Sequence, residues 1–313
     1  MASTNDFQKG RAINPFIDWS FKHIFGREES KDLLMGFLNV LLNRSAPIRE
    51  ITYLNNEHIP EDPQLRTCVF DVICTDESGD RFLVEMQQTE QRNIRNRLIY
   101  YASRLINEMG RRGDWNYDIG RVYAICLMDF TYEDDAVLRN DYLLRDSRTG
   151  HIFSDRLNII TLQIPCIKAK SLAECRESYE KCLYLLKSMR DNMLTFQDIC
   201  AEIEAESSSE EVKAILRRVA NAANVEMLSE KERAAYDYAL KRYRDYYNGL
   251  KTAEEKGFDK GHQKGFDQGV KEGREEGRQE ATLAIAKAMK GQGIPTEQIV
   301  QLTSLSAEIV NDL

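Results

Sequence analysis

Histidine is scarce in this chain, and the arrangements that carry covalent catalysis or cofactor binding are absent. The four histidines, His23, His58, His151 and His262, are scattered without metal-ligand spacing. No Gly-x-Ser-x-Gly turn occurs, which excludes a serine nucleophile of that kind. No hydrophobic strand feeds the glycines near the carboxyl end, so they build neither a P-loop nor a dinucleotide fingerprint. Seven cysteines, an odd number with no Cys-x-x-Cys, predict free thiols in a reducing compartment, and Cys68, Cys74 and Cys126 read as small core residues. No apolar run reaches the roughly 18 residues that a membrane span needs. Met1 to Arg11 is short and polar, which predicts no secretory leader and a cytoplasmic protein. Positive charge is also short: a net charge of −8 gives no global attraction to a polyanion, so any nucleic-acid contact must come from a local basic patch or a metal.

What the chain does have is an ordinary globular composition, 42% hydrophobic and 30% charged over 313 residues, enough for one large domain plus accessory pieces. Its most informative stretch is Phe70-Asp71-Val72-Ile73-Cys74-Thr75, a polar turn from Asp76 to Asp80, then Phe82-Leu83-Val84-Glu85-Met86-Gln87. Two apolar runs around a polar turn predict a β-hairpin. Each run carries one carboxylate among hydrophobes, where lost hydration must be offset by hydrogen bonds, a cation or a metal. With a side-chain period of two, Glu85 and Gln87 share a face, and a suitable register brings Asp71 to them. Two carboxylates and an amide oxygen would suit a hard divalent cation such as Mg²⁺. A structural ion pair is the competing reading of the same residues.

The hairpin and its surroundings resemble the PD-(D/E)XK nuclease superfamily, and more closely its Rpn-type branch of recombination-promoting nucleases and transposase-like proteins. The resemblance begins at Asn14-Pro15-Phe16-Ile17-Asp18-Trp19-Ser20-Phe21-Lys22-His23-Ile24-Phe25-Gly26. It runs through Asp71 and Glu85-Met86-Gln87-Gln88 into Arg97-Leu98-Ile99-Tyr100-Tyr101-Ala102, covering residues 12 to 130 well. It implies that Asp71 and Glu85 are ligands of Mg²⁺ or Mn²⁺, that Gln87 stands where the superfamily has Lys, and that the reaction is phosphodiester hydrolysis of DNA. A Gln can orient a water but adds no charge. Asp18 is either an extra acidic group at the site or a helix cap. Lys22 and Arg97 are candidate phosphate contacts or members of a solvated helix face. Arg92, Arg95, Arg104, Arg111 and Arg112 extend the basic candidate set, spread over more than one helix face. The alternative function is a non-catalytic oligomeric scaffold that keeps the nuclease core to bind DNA or protein.

The expected fold is α/β: a restriction-endonuclease-like core over residues 1–170, with a mixed central sheet flanked by helices, followed by an all-helical carboxyl region. Residues 17–43 predict one helix with Phe21, Ile24, Phe25, Leu33, Leu34, Phe37, Leu38 and Leu41 buried, ended by Pro47. Strands are predicted near 48–54, in the hairpin, at Val122–Met128 and at Leu157–Ile164, with a helix over about 92–111. Residues 171–250 read as helical, over 173–193 and 210–224, and then from the capping box Ser229-Glu230-Lys231-Glu232 along a tyrosine-rich helix whose rings are expected to pack.

Residues 251–280 place Gly257, Gly261, Gly265, Gly269, Gly273 and Gly277 at a strict four-residue period, with seven Lys or Arg against eight Asp or Glu. Each helical Gly costs about 1 kcal/mol relative to Ala, so the regularity predicts a close-packed self-association helix, against the alternative of a charged linker. Residues 281–313 read as a small helical unit whose turn resembles helix-turn-helix spacing. Its last helix lacks a base-reading Arg, which favours protein contact or capping of the glycine helix over DNA contact there.

Overall fold

The computed structural model describes residues 10–55, 57–58, 68–110, 116–132 and 137–313. The strands are β1 (Ile51–Tyr53), the short antiparallel pair β2 (Glu57–His58) and β3 (Cys68–Val69), β4 (Val72–Asp76), β5 (Arg81–Gln87), β6 (Val122–Met128), β7 (Arg139–Arg145) and β8 (Ile152–Gln163). Six of them form one sheet in the order β1-β4-β5-β6-β8-β7. The β1-β4-β5 side is antiparallel, β5-β6-β8 is parallel, and β7 closes the far edge antiparallel to β8. The Asp76–Asp80 turn closes on itself: the Asp76 carboxylate accepts the Ser78 and Asp80 N–H groups, and Arg44 bridges Asp76 and Asp80 at 3.0 and 2.9 Å.

Strand alternation divides the sheet between two cores. Val72, Cys74, Phe82, Val84, Ile125 and Leu127 face a large core built with α1 (Asp18–Phe25), α2 (Lys31–Leu42), α4 (Ser178–Asp191), α5 (Phe196–Ala205) and α6 (Glu210–Ala222). The opposite face packs on α3 (Ile94–Asn107): Ile73, Leu83 and Ala124 meet Ala102 and Leu105, while Cys126 and Met128 meet Ile94 and Leu98. Glu85 and Gln87 alternate with Val84 and Met86, so they lie on this α3 face. The architecture is a restriction-endonuclease-like α/β core with a helical carboxyl region.

Several boundaries differ from the sequence expectation for local reasons. The single helix expected over 17–43 is two, because the chain leaves α1 at Gly26, makes a 3₁₀ turn at Glu28–Ser30 and restarts as α2. The eight residues expected to be buried along it are all buried. That helix ends well before Pro47, at Asn43 in the left-handed conformation (φ 44°). β7 and α5 were not anticipated. α5 begins at a capping box in which Thr195 and Asp198 exchange hydrogen bonds.

The Ser229–Glu232 capping box forms as expected and starts α7 (Glu230–Gly291). Of its tyrosines, Tyr236 is buried, with its hydroxyl accepting the Asn14 N–H, and Tyr243 packs on the core. Tyr238, Tyr246 and Tyr247 are exposed, contrary to the packing expected of them.

Residues from Arg244 onward make a second compact unit. Its own core gathers Ala286, Ile299 and Val310 from α7, α8 (Thr296–Thr303) and α9 (Ala307–Asp312). The six periodic glycines lie on α7, exposed, and a Cβ added to any of them would meet nothing within 4 Å. No helix among the described residues is long and apolar enough to cross a membrane.

Candidate active site at the end of the hairpin

The β4/β5 ladder pairs Val72 with Val84, and the same register places Asp71 opposite Glu85 just beyond it. There the two side chains take over hydrogen bonds that backbone carbonyls would otherwise accept. The Met86 N–H donates to Asp71 Oδ2 at 2.8 Å, and the Asp71 N–H donates to Glu85 Oε1 at 3.3 Å. Gln87 Nε2 donates to Glu85 Oε2 at 3.3 Å. Asp71, Glu85 and Gln87 are therefore brought together. The Gln88 side chain anchors the strand end by donating to the Phe16 carbonyl at 2.6 Å, just before α1.

Two cations flank the pair. Lys22 on α1 lies 4.0 Å from Asp71 Oδ1 and 2.8 Å from Asp18 Oδ1. Arg97 on α3 donates to Glu85 Oε2 at 3.4 Å and to Gln91 at 2.7 Å, with its guanidinium over the Tyr101 ring. Asp18 is solvent-exposed in the first turn of α1 and makes no cap hydrogen bond, since Ile17 occupies the cap position. It meets the site through its bond to Lys22, and its charge also helps to raise the Asp71 pKa. The remaining arginines do not form one track: Arg92 is exposed, Arg95 lies over the Tyr132 ring, and Arg104 is half-buried. Arg111 and Arg112 lie outside the described residues, as does the Cys68 side chain.

Charge is out of balance at this end of the sheet. Glu85 is 3% exposed. Burial, and then the neighbouring Asp71 charge, push its pKa up to about 8 against the partial relief given by Arg97 and the Asp71 N–H. Asp71 is raised as well, chiefly by burial, while the Met86 N–H, Lys22 and Arg97 oppose the rise. Burial works against the Lys22 ammonium, yet its bond to Asp18 and the charges of Asp71 and Glu85 hold its pKa above the ordinary value. A buried and a partly buried carboxylate thus share a site whose local cations do not fully compensate them.

That donor set fits a small hard cation. Mg²⁺ takes oxygen ligands, keeps several waters, and is often held by only one or two carboxylates together with substrate phosphates. No group of three or more His, Cys, Asp or Glu that could hold a metal occurs among the described residues, so the fit rests on Asp71 and Glu85 with the Gln87 amide.

Sequence reasoning did not single out Asn140, Thr161 and Gln163, which lie across the same sheet face. The signal was present at the end of β8, where Thr161 and Gln163 alternate with Ile160 and Leu162. Their neighbour Asn140 sits on the unanticipated β7. A family model described as PD-(D/E)XK nuclease family transposase matches residues 15–253. No curated protein and no solved structure matches the chain.

Proposed function

Because the chain belongs to the PD-(D/E)XK nuclease family transposases, we propose that it is a divalent-metal-dependent DNA endonuclease working at Asp71 and Glu85 with Mg²⁺ or Mn²⁺. The observation that carries this reading is the paired carboxylates at the end of β4 and β5, Glu85 buried and Asp71 partly buried, with both pKa values raised and Gln87 beside them. A bound divalent cation would supply Lewis-acid polarisation of a phosphate oxygen and a lowered pKa for a bound water. Asp71 and Glu85 would hold the cation. Gln87 orients the attacking water by hydrogen bonding and adds no charge of its own. Lys22 and Arg97, already at the two carboxylates, neutralise the phosphate and fix its position. Asp18 keeps Lys22 charged and aimed at the site.

A role in DNA breakage during recombination, mobile-element movement or defence belongs to the same proposal, and the match to a nuclease family transposase supports it. Self-association of the whole chain fits the exposed glycine stripe of α7, which presents bare helix backbone to a second copy. The test of the activity is incubation of the intact protein with supercoiled plasmid in Mg²⁺, Mn²⁺ or chelator. Nicked or linear product that forms with a cation and not with chelator is the expected result. No conversion with either cation, or conversion indifferent to chelator, contradicts it.

A specific observation favours a second reading, a non-catalytic scaffold. Lys22 and Arg97 already pair with the two carboxylates, as a structural ion-pair network would. On that reading the Lys22→Ala variant loses stability without any loss of cleavage, because there is none to lose.

A further inference from the structure

Across the α3 face of the sheet the register aligns Glu85 with Cys126, Cys126 with Thr161, and Thr161 with Asn140. Registered residues project to the same side, and neighbouring strands stand about 4.8 Å apart, so Thr161 lies about 10 Å from Glu85 on the same face. Between β6, β8, β7 and α3 there is an open cavity of about 220 Å³.

Its composition is unlike a packing defect. Leu98, Met128 and Ile159 give an apolar floor, and Tyr132 and Tyr142 supply aromatic walls, with the Arg95 guanidinium 4.9 Å from the centroid of the Tyr132 ring. Two polar side chains are aimed into it. The Thr161 residue is only 8% exposed, and neither its hydroxyl nor the Asn140 amide hydrogen-bonds another described residue. Gln163, in contrast, is spent on structure: Oε1 accepts the Tyr132 N–H and Nε2 donates to the Val137 carbonyl. The Thr161 hydroxyl is accessible from the cavity, where it can bond a group that enters.

We propose that this cavity takes an unstacked nucleobase of the DNA strand whose phosphate sits at Asp71 and Glu85. The inference rests on the nuclease reading and adds a base-binding subsite to it. A nucleobase is flat and apolar on its faces, which suits the space between the Tyr132–Arg95 stack and the aliphatic floor. Its edge carries hydrogen-bonding groups, which the Asn140 carboxamide and Thr161 hydroxyl meet; a carboxamide can engage the edge of a purine with two bonds at once. The separation from Glu85 is of the order that divides a phosphate from the base of its own or the adjoining nucleotide. An enzyme that pulls one base out of its stack selects sites where unstacking is easiest, such as single strands, mismatches and damaged positions.

The experiment compares two fluorescein-labelled probes by anisotropy on the full chain in Ca²⁺: hexadeoxyadenylate, and a chain of the same length made of abasic deoxyribose phosphates. Intact protein is expected to bind the base-bearing probe about tenfold more tightly, the size of effect that stacking one base supplies. Ile99 lines the cavity but is 52% exposed, so Ile99→Trp fills the space from the surface without disturbing the core. That variant, and separately Asn140→Ala, should bring the base-bearing probe toward the abasic value while leaving abasic binding unchanged.

Equal affinity of intact protein for the two probes, no binding of either, or a base preference that survives both substitutions overturns the proposal. Plasmid cleavage measured in parallel with Mg²⁺ separates the two claims. Cleavage without base preference removes the subsite alone. Base preference without cleavage removes the nuclease reading and leaves the subsite as a nucleic-acid contact.

Discussion

Glu85 shows what the hairpin asks of a single side chain. Its pKa is raised to about 8 from an ordinary 4.5. A carboxyl whose folded-state pKa is raised contributes stability that is present below its unfolded value and lost as the pH rises through the folded one. The metal-free protein should therefore lose melting temperature between about pH 5 and pH 8, and Glu85→Gln should flatten that loss; a profile that does not respond to the substitution contradicts the assignment. The same proton competes with a cation, so stabilisation by Mg²⁺ should grow over this interval and level off above pH 8, as thermal shifts at fixed Mg²⁺ would record. Lys22 contributes differently. If it and Arg97 each meet one phosphate, the slope of log affinity against log salt should be about −2, and Lys22→Ala should bring it nearer −1.

Among the elements, the parts written in side-chain alternation were legible in advance. The juxtaposition of Asp71, Glu85 and Gln87 follows from a period of two and one turn, and β6 from its unbroken apolar run. Less legible were elements whose signal is weak one residue at a time. β7 is an edge strand whose Tyr142 and Leu144 remain about half exposed, so its sequence carries no buried stripe to read. Without β7, Asn140 could not be placed beside Thr161, and the cavity could not be foreseen.

The glycines divide along similar lines. Gly36 on α2 is required by a close approach, since a Cβ there would lie 2.9 Å from Ile215 Cγ1 on α6. Gly36→Ala should cost about 1–3 kcal/mol in chemical denaturation. The glycines on α7 meet nothing, so in a free helix Gly265→Ala should stabilise by about 1 kcal/mol. If these glycines form the proposed interface with a second copy, the same substitution should also lower the sedimenting mass. A mass unchanged by replacing Gly261, Gly265 and Gly269 together would remove that role.

At the scale of the whole molecule, an acidic chain must attract a polyanion through a restricted place. The sheet provides one, because the carboxylates, Lys22, Arg97 and the cavity all lie at or near one end of its parallel strands, where ligands gather in open α/β sheets. The family match reaches from before α1 into α7 and so includes the helices of the large core as well as the hairpin. The most direct measurement is the rate of Mg²⁺-dependent cleavage of supercoiled plasmid by intact protein beside the Asp71→Asn and Glu85→Gln variants, each verified as folded. Both variants should fall by more than the about 100-fold that loss of a mere outer-shell partner brings. Equal rates in all three proteins, or no cleavage by the intact one, would contradict a nuclease centred on Asp71 and Glu85.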